Sequence, residues 1–195
     1  YAPGETGVTV TKAWADGDEQ DGKHPESIKV QLYADGKPSG EAVTLSSGGN
    51  WTYTWNSLPE KSNGKPITYT VKEVGGEAGK VTYNGVEYTV EITGSAKEGY
   101  TITNSHTPAT IEASVKKTWD DNEDQDGKRP KKLFVTLMRR IREQAVPMSL
   151  EDADDADTNP AEEVMTVELT AANGWKASVS NQPKYKDGQM YEYFW

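Results

Sequence analysis

The chain has no cysteine. Disulfides, thiol chemistry and any cysteine-containing metal site are therefore excluded, and extracellular domains of this size often need another covalent brace. Histidine is almost as scarce: His24 and His106 are the only copies in 195 residues, which supports neither a histidine-rich metal site nor a hydrolytic triad. Positive charge is also in deficit. With 21 Lys and Arg against 31 Asp and Glu the net charge is −10, which argues against nucleic acid and anionic membrane surfaces as partners. No apolar run approaches the roughly twenty residues of a membrane span, so the expectation is a soluble chain, cytosolic or part of something exported, with no membrane insertion.

What is present is β-forming. Hydrophobic residues are only 34%, yet six tryptophans and ten tyrosines supply enough large side chains for two modest cores. Eighteen glycines and ten prolines punctuate segments rich in Thr and Val, the composition of an all-β chain. The stretch Val8 to Trp14 reads V-T-V-T-K-A-W. Its period of two places Val8, Val10, Lys12 and Trp14 on one face, so a lysine falls on the apolar side. The pattern returns as Ile111, Ala113, Val115, Lys117 and Trp119. Lysine is rarely fully buried without a partner, so its double occurrence on an inward face calls for a purpose.

The recurrence extends along the chain. Trp14 and Trp119, Gln20 to Lys23 and Gln125 to Lys128, and Pro25 and Pro130 all correspond at an offset of 105 positions. Trp51 and Trp175, Pro59 and Pro183, Gly64 and Gly188, and Tyr69 and Tyr193 correspond at 124. Two domains are expected, 8–108 and 109–195, preceded by a linker over 1–7. The 19-residue difference predicts an insertion at about 139–163, carrying Arg139, Arg140 and Arg142 and then the acidic run from Glu151 to Glu163, read as a long mobile loop. Continuing the second offset puts the counterpart of Glu73 at position 197, so the second domain is expected to be incomplete at its C-terminus. Asp35-Gly36 and Asn63-Gly64 mark turns, and one continuous strand is expected over Val81 to Thr93.

Several local patterns carry no chemistry. Gly17 to Lys23 has the spacing of a phosphate loop, but His24 stands where Ser or Thr is required and acidic residues fill it. Asn122, Asp124, Asp126 and Gly127 echo a calcium loop, but Leu133 replaces the bidentate glutamate. Neither a metal nor a cofactor is expected.

The motifs T-K-A-W (Thr11 to Trp14), D-E-Q-D-G-K-H-P (Asp18 to Pro25), V-Q-L-Y-A-D-G (Val30 to Gly36), Y-T-V-K-E (Tyr69 to Glu73) and I-T-N-S-H-T-P (Ile102 to Pro108) stand in the first copy. K-T-W-D-D-N (Lys117 to Asn122) and Q-D-G-K-R-P (Gln125 to Pro130) stand in the second. Together they resemble the Cna B-type domain, an immunoglobulin-like β-sandwich repeated along surface adhesins and pilins of Gram-positive bacteria. The resemblance implies tandem sandwiches at the cell surface or cell wall, with neighbouring domains of the same protein as partners. It also implies an intramolecular isopeptide bond from Lys12 to Asn104, with Glu73 as proton shuttle. Lys117 matches the reactive lysine of the second copy, whose partners the chain does not contain.

Elementary chemistry is consistent with that implication. In an apolar core, Lys⁺ and Glu⁻ lower their desolvation cost by moving a proton, which leaves a nucleophilic amine and a neutral acid able to polarise the asparagine carbonyl. The expected function is thus a self-crosslinked stalk or spacer, with no turnover enzymology. The alternatives are a module binding a host extracellular protein, and a carbohydrate-binding accessory domain presenting Trp51, Trp55 and Trp175.

Overall fold

The structure, a computed structural model, describes residues 4–142 and 159–195. By Cα proximity the chain falls into two units: Tyr1–Glu19 with Lys23–Thr107, and Gln20–Gly22 with Pro108–Trp195.

In chain order the first unit carries β1 (Glu5–Ala15), β2 (Ser27–Ala34), β3 (Lys37–Pro38), β4 (Val43–Ser46), β5 (Thr52–Pro59), β6 (Lys61–Ser62) and β7 (Lys65–Pro66). It continues with β8 (Tyr69–Glu73), β9 (Lys80–Tyr83), β10 (Val86–Ser95) and β11 (Gly99–Ser105). One sheet runs β5-β1-β11-β10-β9; a second is built on β2, flanked by β3 and β4 along one edge and by β8 on the other. Alternate residues of both sheets bury a shared core: Val8 and Val10 from β1, Val30 and Leu32 from β2, Val71 from β8 and Ile102 from β11. This is the alternation expected of strands with one buried face. The first and last strands of the unit, β1 and β11, lie side by side and parallel, with Lys12 opposite Ile102 and Trp14 opposite Asn104.

Turn chemistry sets the hairpins. Asp35-Gly36, Asn63-Gly64 and Asn84-Gly85 each place both residues at positive φ, between 47° and 78°, the conformation that matches strand twist in a two-residue hairpin. The third of these divides the single strand expected over Val81 to Thr93 into β9 and β10. At the opposite end of β10, Gly94 has φ 92°, and a Cβ there would lie 2.1 Å from the Gly99 carbonyl oxygen. Gly94→Ala is expected to destabilise the first unit by about 1–3 kcal/mol, measured as a lowered denaturant midpoint, because backbone rather than a movable side chain occupies the space.

The second unit carries β12 (Thr110–Lys116), β13 (Lys132–Ile141), β14 (Glu162–Thr170), β15 (Lys176–Pro183), β16 (Tyr185–Lys186) and β17 (Gln189–Phe194). Among the described residues β12 pairs with β15, and a second sheet runs β14-β13-β17-β16. Ala113, Leu137 and Val179 form its buried centre.

The repeat is visible as repeated contacts. The Lys12 amide donates to the Trp51 carbonyl at 2.7 Å and the Lys117 amide to the Trp175 carbonyl at 2.8 Å. The Tyr69 hydroxyl donates to the Pro59 carbonyl at 2.9 Å and the Tyr193 hydroxyl to the Pro183 carbonyl at 2.6 Å. Trp14 meets Trp51 edge-on, as Trp119 meets Trp175.

Two expectations need correction. Glu5 to Gly7 are not linker: they begin β1, with Glu5 opposite Pro59 and Thr6 opposite Leu58, because backbone pairing overrides a Gly-rich local sequence. At the expected insertion, β13 and β14 extend to the pair Arg139 and Glu162, closed by a 2.6 Å ion pair. The acidic run at 151–158 lies outside the described residues.

Candidate functional site

The site forms where the two sheets of the first unit face each other. On β1 the inward alternation runs Val8, Val10 and Lys12, leaving Lys12 only 4% exposed. On β8 it runs Tyr69, Val71 and Glu73, the glutamate being 5% exposed and opposite Val30. On β11 it runs Ile102 and Asn104, the latter 0% exposed, between Trp14 of β1 and Val90 of β10. Three polar side chains from three strands thus share one apolar core.

The Lys12 amine bends along its own strand toward Trp14. It donates to the Ala13 carbonyl at 2.7 Å and the Ile102 carbonyl at 3.3 Å, and sits 4.0 Å from the centroid of a Trp14 ring. Since Trp14 is the register partner of Asn104, this posture carries the nitrogen toward the asparagine's level. Burial lowers the pKa of the amine to about 8, against the opposing pull of the negative charges of Glu73 and Asp16. The neutral, nucleophilic form therefore becomes accessible within a decade or so of neutral pH.

Glu73 reaches across the layers to Asn104, whose Nδ2 donates to its Oε1 at 2.9 Å. The Tyr83 hydroxyl donates to the same oxygen at 2.5 Å. Glu73 Oε2 and Asn104 Oδ1 are both buried without a hydrogen-bond partner. Buried orphan acceptors cost roughly 1–3 kcal/mol each, so two of them on one contacting pair single out Glu73 and Asn104 within the core.

Tyr83 was not among the residues singled out from sequence. The signal lay in Asn84-Gly85, whose turn separates β9 from β10 and puts Val81 and Tyr83 on a common inward parity.

Lys117 behaves differently. Its amine adopts the posture of Lys12, donating to the Thr118 carbonyl at 2.9 Å and lying 4.5 Å from the Trp119 centroid, yet the residue is exposed. On the same face Ala113 is buried and Ile111 and Val115 are half-buried, but Lys117 lies beyond the end of β12, and among the described residues no strand lies beside β12 in the way that β11 lies beside β1. Parity alone therefore did not bury it.

The histidines serve packing. His24 bonds Asp16 at 2.9 Å and Glu19 at 3.1 Å and stacks on Trp14 at 4.6 Å, while the His106 ring lies 5.5 Å from Tyr88. Trp51 and Trp55 are half-buried against the first core, and Trp175 is half-buried edge-on to Trp119, so none of the three forms an exposed platform.

The sandwich layers, the repeat and the buried triad define a recognised class of domain. The family model described as "Cna protein B-type domain" matches residues 8–105 and 113–194, and the chain belongs to that family. Over 193 residues it is 38% identical to a collagen adhesin of Staphylococcus aureus, covering 99% of this chain and 14% of that protein. It thus spans about one seventh of that relative's length. A crystal structure of two B repeat units of the collagen binding protein of S. aureus superposes with a TM-score of 0.74 at 36% identity, covering 100% of this chain and 44% of the other. A single B repeat unit of the same collagen binding surface protein is 32% identical, covering 97% of this chain and 83% of that one, with a TM-score of 0.43.

Proposed function

We propose that this chain is a stalk segment of a bacterial surface protein, braced in its first unit by a self-made isopeptide bond between Lys12 and Asn104. The observation that carries the reading is the buried contact of Glu73 with Asn104, two acceptors left unpaired beside it, in one core with an amine whose pKa burial has lowered. The family, the tandem arrangement and the B-repeat relatives support the placement at a cell surface beside neighbouring repeats of the same protein.

The chemistry balances without a cofactor. The Lys12 proton passes to Glu73, and the neutral amine attacks the Asn104 side-chain carbon. Protonated Glu73 polarises the carbonyl oxygen and protonates the departing nitrogen, and its carboxylate then takes the remaining extra proton from the attacking nitrogen, so that Glu73 ends as a neutral acid beside a neutral amide. One C–N bond forms, another breaks, and ammonia leaves. A cavity of about 240 Å³ lined in part by Glu73, Gly79, Lys80 and Val90 lies on the Glu73 side of this contact. The fold supplies proximity by holding donor and acceptor on adjacent parallel strands, which makes an otherwise inert amide reactive. The product is neutral, so the reaction removes the charges that made the core costly.

The mechanical role follows from topology. Pulling on the start of β1 and the end of β11 loads opposite ends of one parallel pair in shear. A covalent link from Lys12 to Asn104 routes that tension past the hydrogen bonds and past every strand between them.

Intact mass spectrometry tests the reading. The full chain is expected to weigh one ammonia less than its sequence, and Glu73→Ala to show the unreduced mass. A wild-type mass equal to that of the sequence would sink the proposal.

A further inference from the structure

We infer that Tyr83 is a positioning residue for the cross-link: by holding Oε1 of Glu73 together with the Asn104 amide, its hydroxyl leaves Oε2 as the oxygen that carries the relayed proton. This inference rests on the self-crosslinking reading above.

The two oxygens of Glu73 are not equivalent. Oε1 receives two donors, the Tyr83 hydroxyl at 2.5 Å and Asn104 Nδ2 at 2.9 Å, whereas Oε2 is buried and receives none. A proton added to Oε1 would confront two hydrogens already aimed at that atom. Added to Oε2, it turns an unpaired acceptor into a donor beside the second unpaired acceptor, Asn104 Oδ1. The carboxyl and carboxamide then pair through both arms, and the carbonyl under attack is the one polarised. Without the Tyr83 hydroxyl, Oε1 keeps a single donor, and the carboxyl gains freedom to rotate and protonate on the wrong side.

Tyr83 is suited to this task and to no proton transfer of its own. Burial and the adjoining Glu73 push its phenol well above the ordinary tyrosine range, so it stays a neutral donor. Its ring is fixed on two sides, lying edge-on to Trp14 at 6.1 Å and tilted against fully buried Tyr88 at 6.2 Å. The ring contacts would survive in a phenylalanine. The hydroxyl contact would not, and it is the hydroxyl that meets the reacting group.

The test follows cross-linking in the full chain after cell-free synthesis, sampling intact mass over time for wild type, Tyr83→Phe and a chain with 3-fluorotyrosine incorporated at position 83. Tyr83→Phe is expected to slow ammonia loss about ten-fold or more, the factor for removing one hydrogen bond to an ionisable group. The fluorinated residue, which keeps both ring and hydroxyl, is expected to react at the wild-type rate or faster. In a background of Asn104→Ala, which cannot cross-link, adding Tyr83→Phe is expected to leave the melting temperature within a few degrees. Cross-linking of Tyr83→Phe at the wild-type rate overturns the inference. So does equal slowing by phenylalanine and fluorotyrosine, or a large fall in melting temperature in the unlinked background, since each assigns the effect to packing. A wild type that never loses ammonia defeats the self-crosslinking reading itself, a result separable from failure of Tyr83 alone.

Discussion

Asn104→Ala is expected to lower the melting temperature of the first unit by about 20 °C or more relative to wild type. A link from Lys12 to Asn104 closes a loop of about 90 residues, and by the loop-entropy relation for cross-links it stabilises by about 4–5 kcal/mol through the unfolded chain. For a domain of roughly 100 residues each kcal/mol corresponds to about 4–8 °C. Glu73→Gln should fall nearly as far, although it preserves volume and leaves Asn104 in place, because the proposed bond needs the Glu73 carboxyl to form. Calorimetry of the three chains at one pH decides the matter. A shift of less than about 5 °C in both variants would mean that no covalent brace operates in the wild type.

The second large effect concerns the buried charge itself. In the unlinked Asn104→Ala chain, stability is expected to rise as pH increases from about 8 to about 10. The folded-state pKa of Lys12 is about 8, below its ordinary value of 10.5. Between these values the unfolded chain binds more protons than the folded one, so unfolding becomes less favourable with each step up in pH. Below about pH 8 the full cost of burying the ammonium is present. Above it the cost is relieved at up to about 1.4 kcal/mol per pH unit, or about 2 kcal/mol by pH 10. The rise should then reverse, because burial pushes the Tyr69 and Tyr83 phenols upward and the unfolded chain ionises its tyrosines first. Urea titrations across this range provide the measurement. A wild type carrying the proposed cross-link has no free amine at this position and should lack the rise. A flat profile in Asn104→Ala would place Lys12 in water.

Neither effect depends on exposed ion pairs. Lys80 with Glu87, Lys132 with Glu168 and Arg140 with Glu192 lie at the surface, where screening leaves such pairs worth little. What distinguishes the first unit is that Lys12, Glu73 and Asn104 are inside.

Much of this was legible in the residue order, because strands have a period of two. Lys12 shares parity with Val10, Glu73 with Val71 and Asn104 with Ile102, and the structure buries all six. The repeat was equally plain, since it is carried by tryptophans, prolines and turn glycines whose local roles are stereochemical. The same reasoning failed where a feature depends on what lies opposite. Lys117 has the parity of Lys12 and of buried Ala113 but is exposed, since among the described residues no strand flanks β12 as β11 flanks β1. Glu5 and Thr6 read as linker but pair with Pro59 and Leu58. Tyr83 was overlooked because a missed hairpin at Asn84-Gly85 merged its strand with the next.

The sequence by itself determined the all-β character, the tandem repeat and the inward alternation of Lys12, Glu73 and Asn104, since each is a matter of local spacing and side-chain type. Only the tertiary structure decided that Glu73 crosses between sheets to Asn104, that Tyr83 holds the same carboxyl oxygen, and that Lys12 is enclosed while Lys117 is not. Those outcomes require residues distant in the chain to exclude water from one another, and no local pattern encodes which partners will do so.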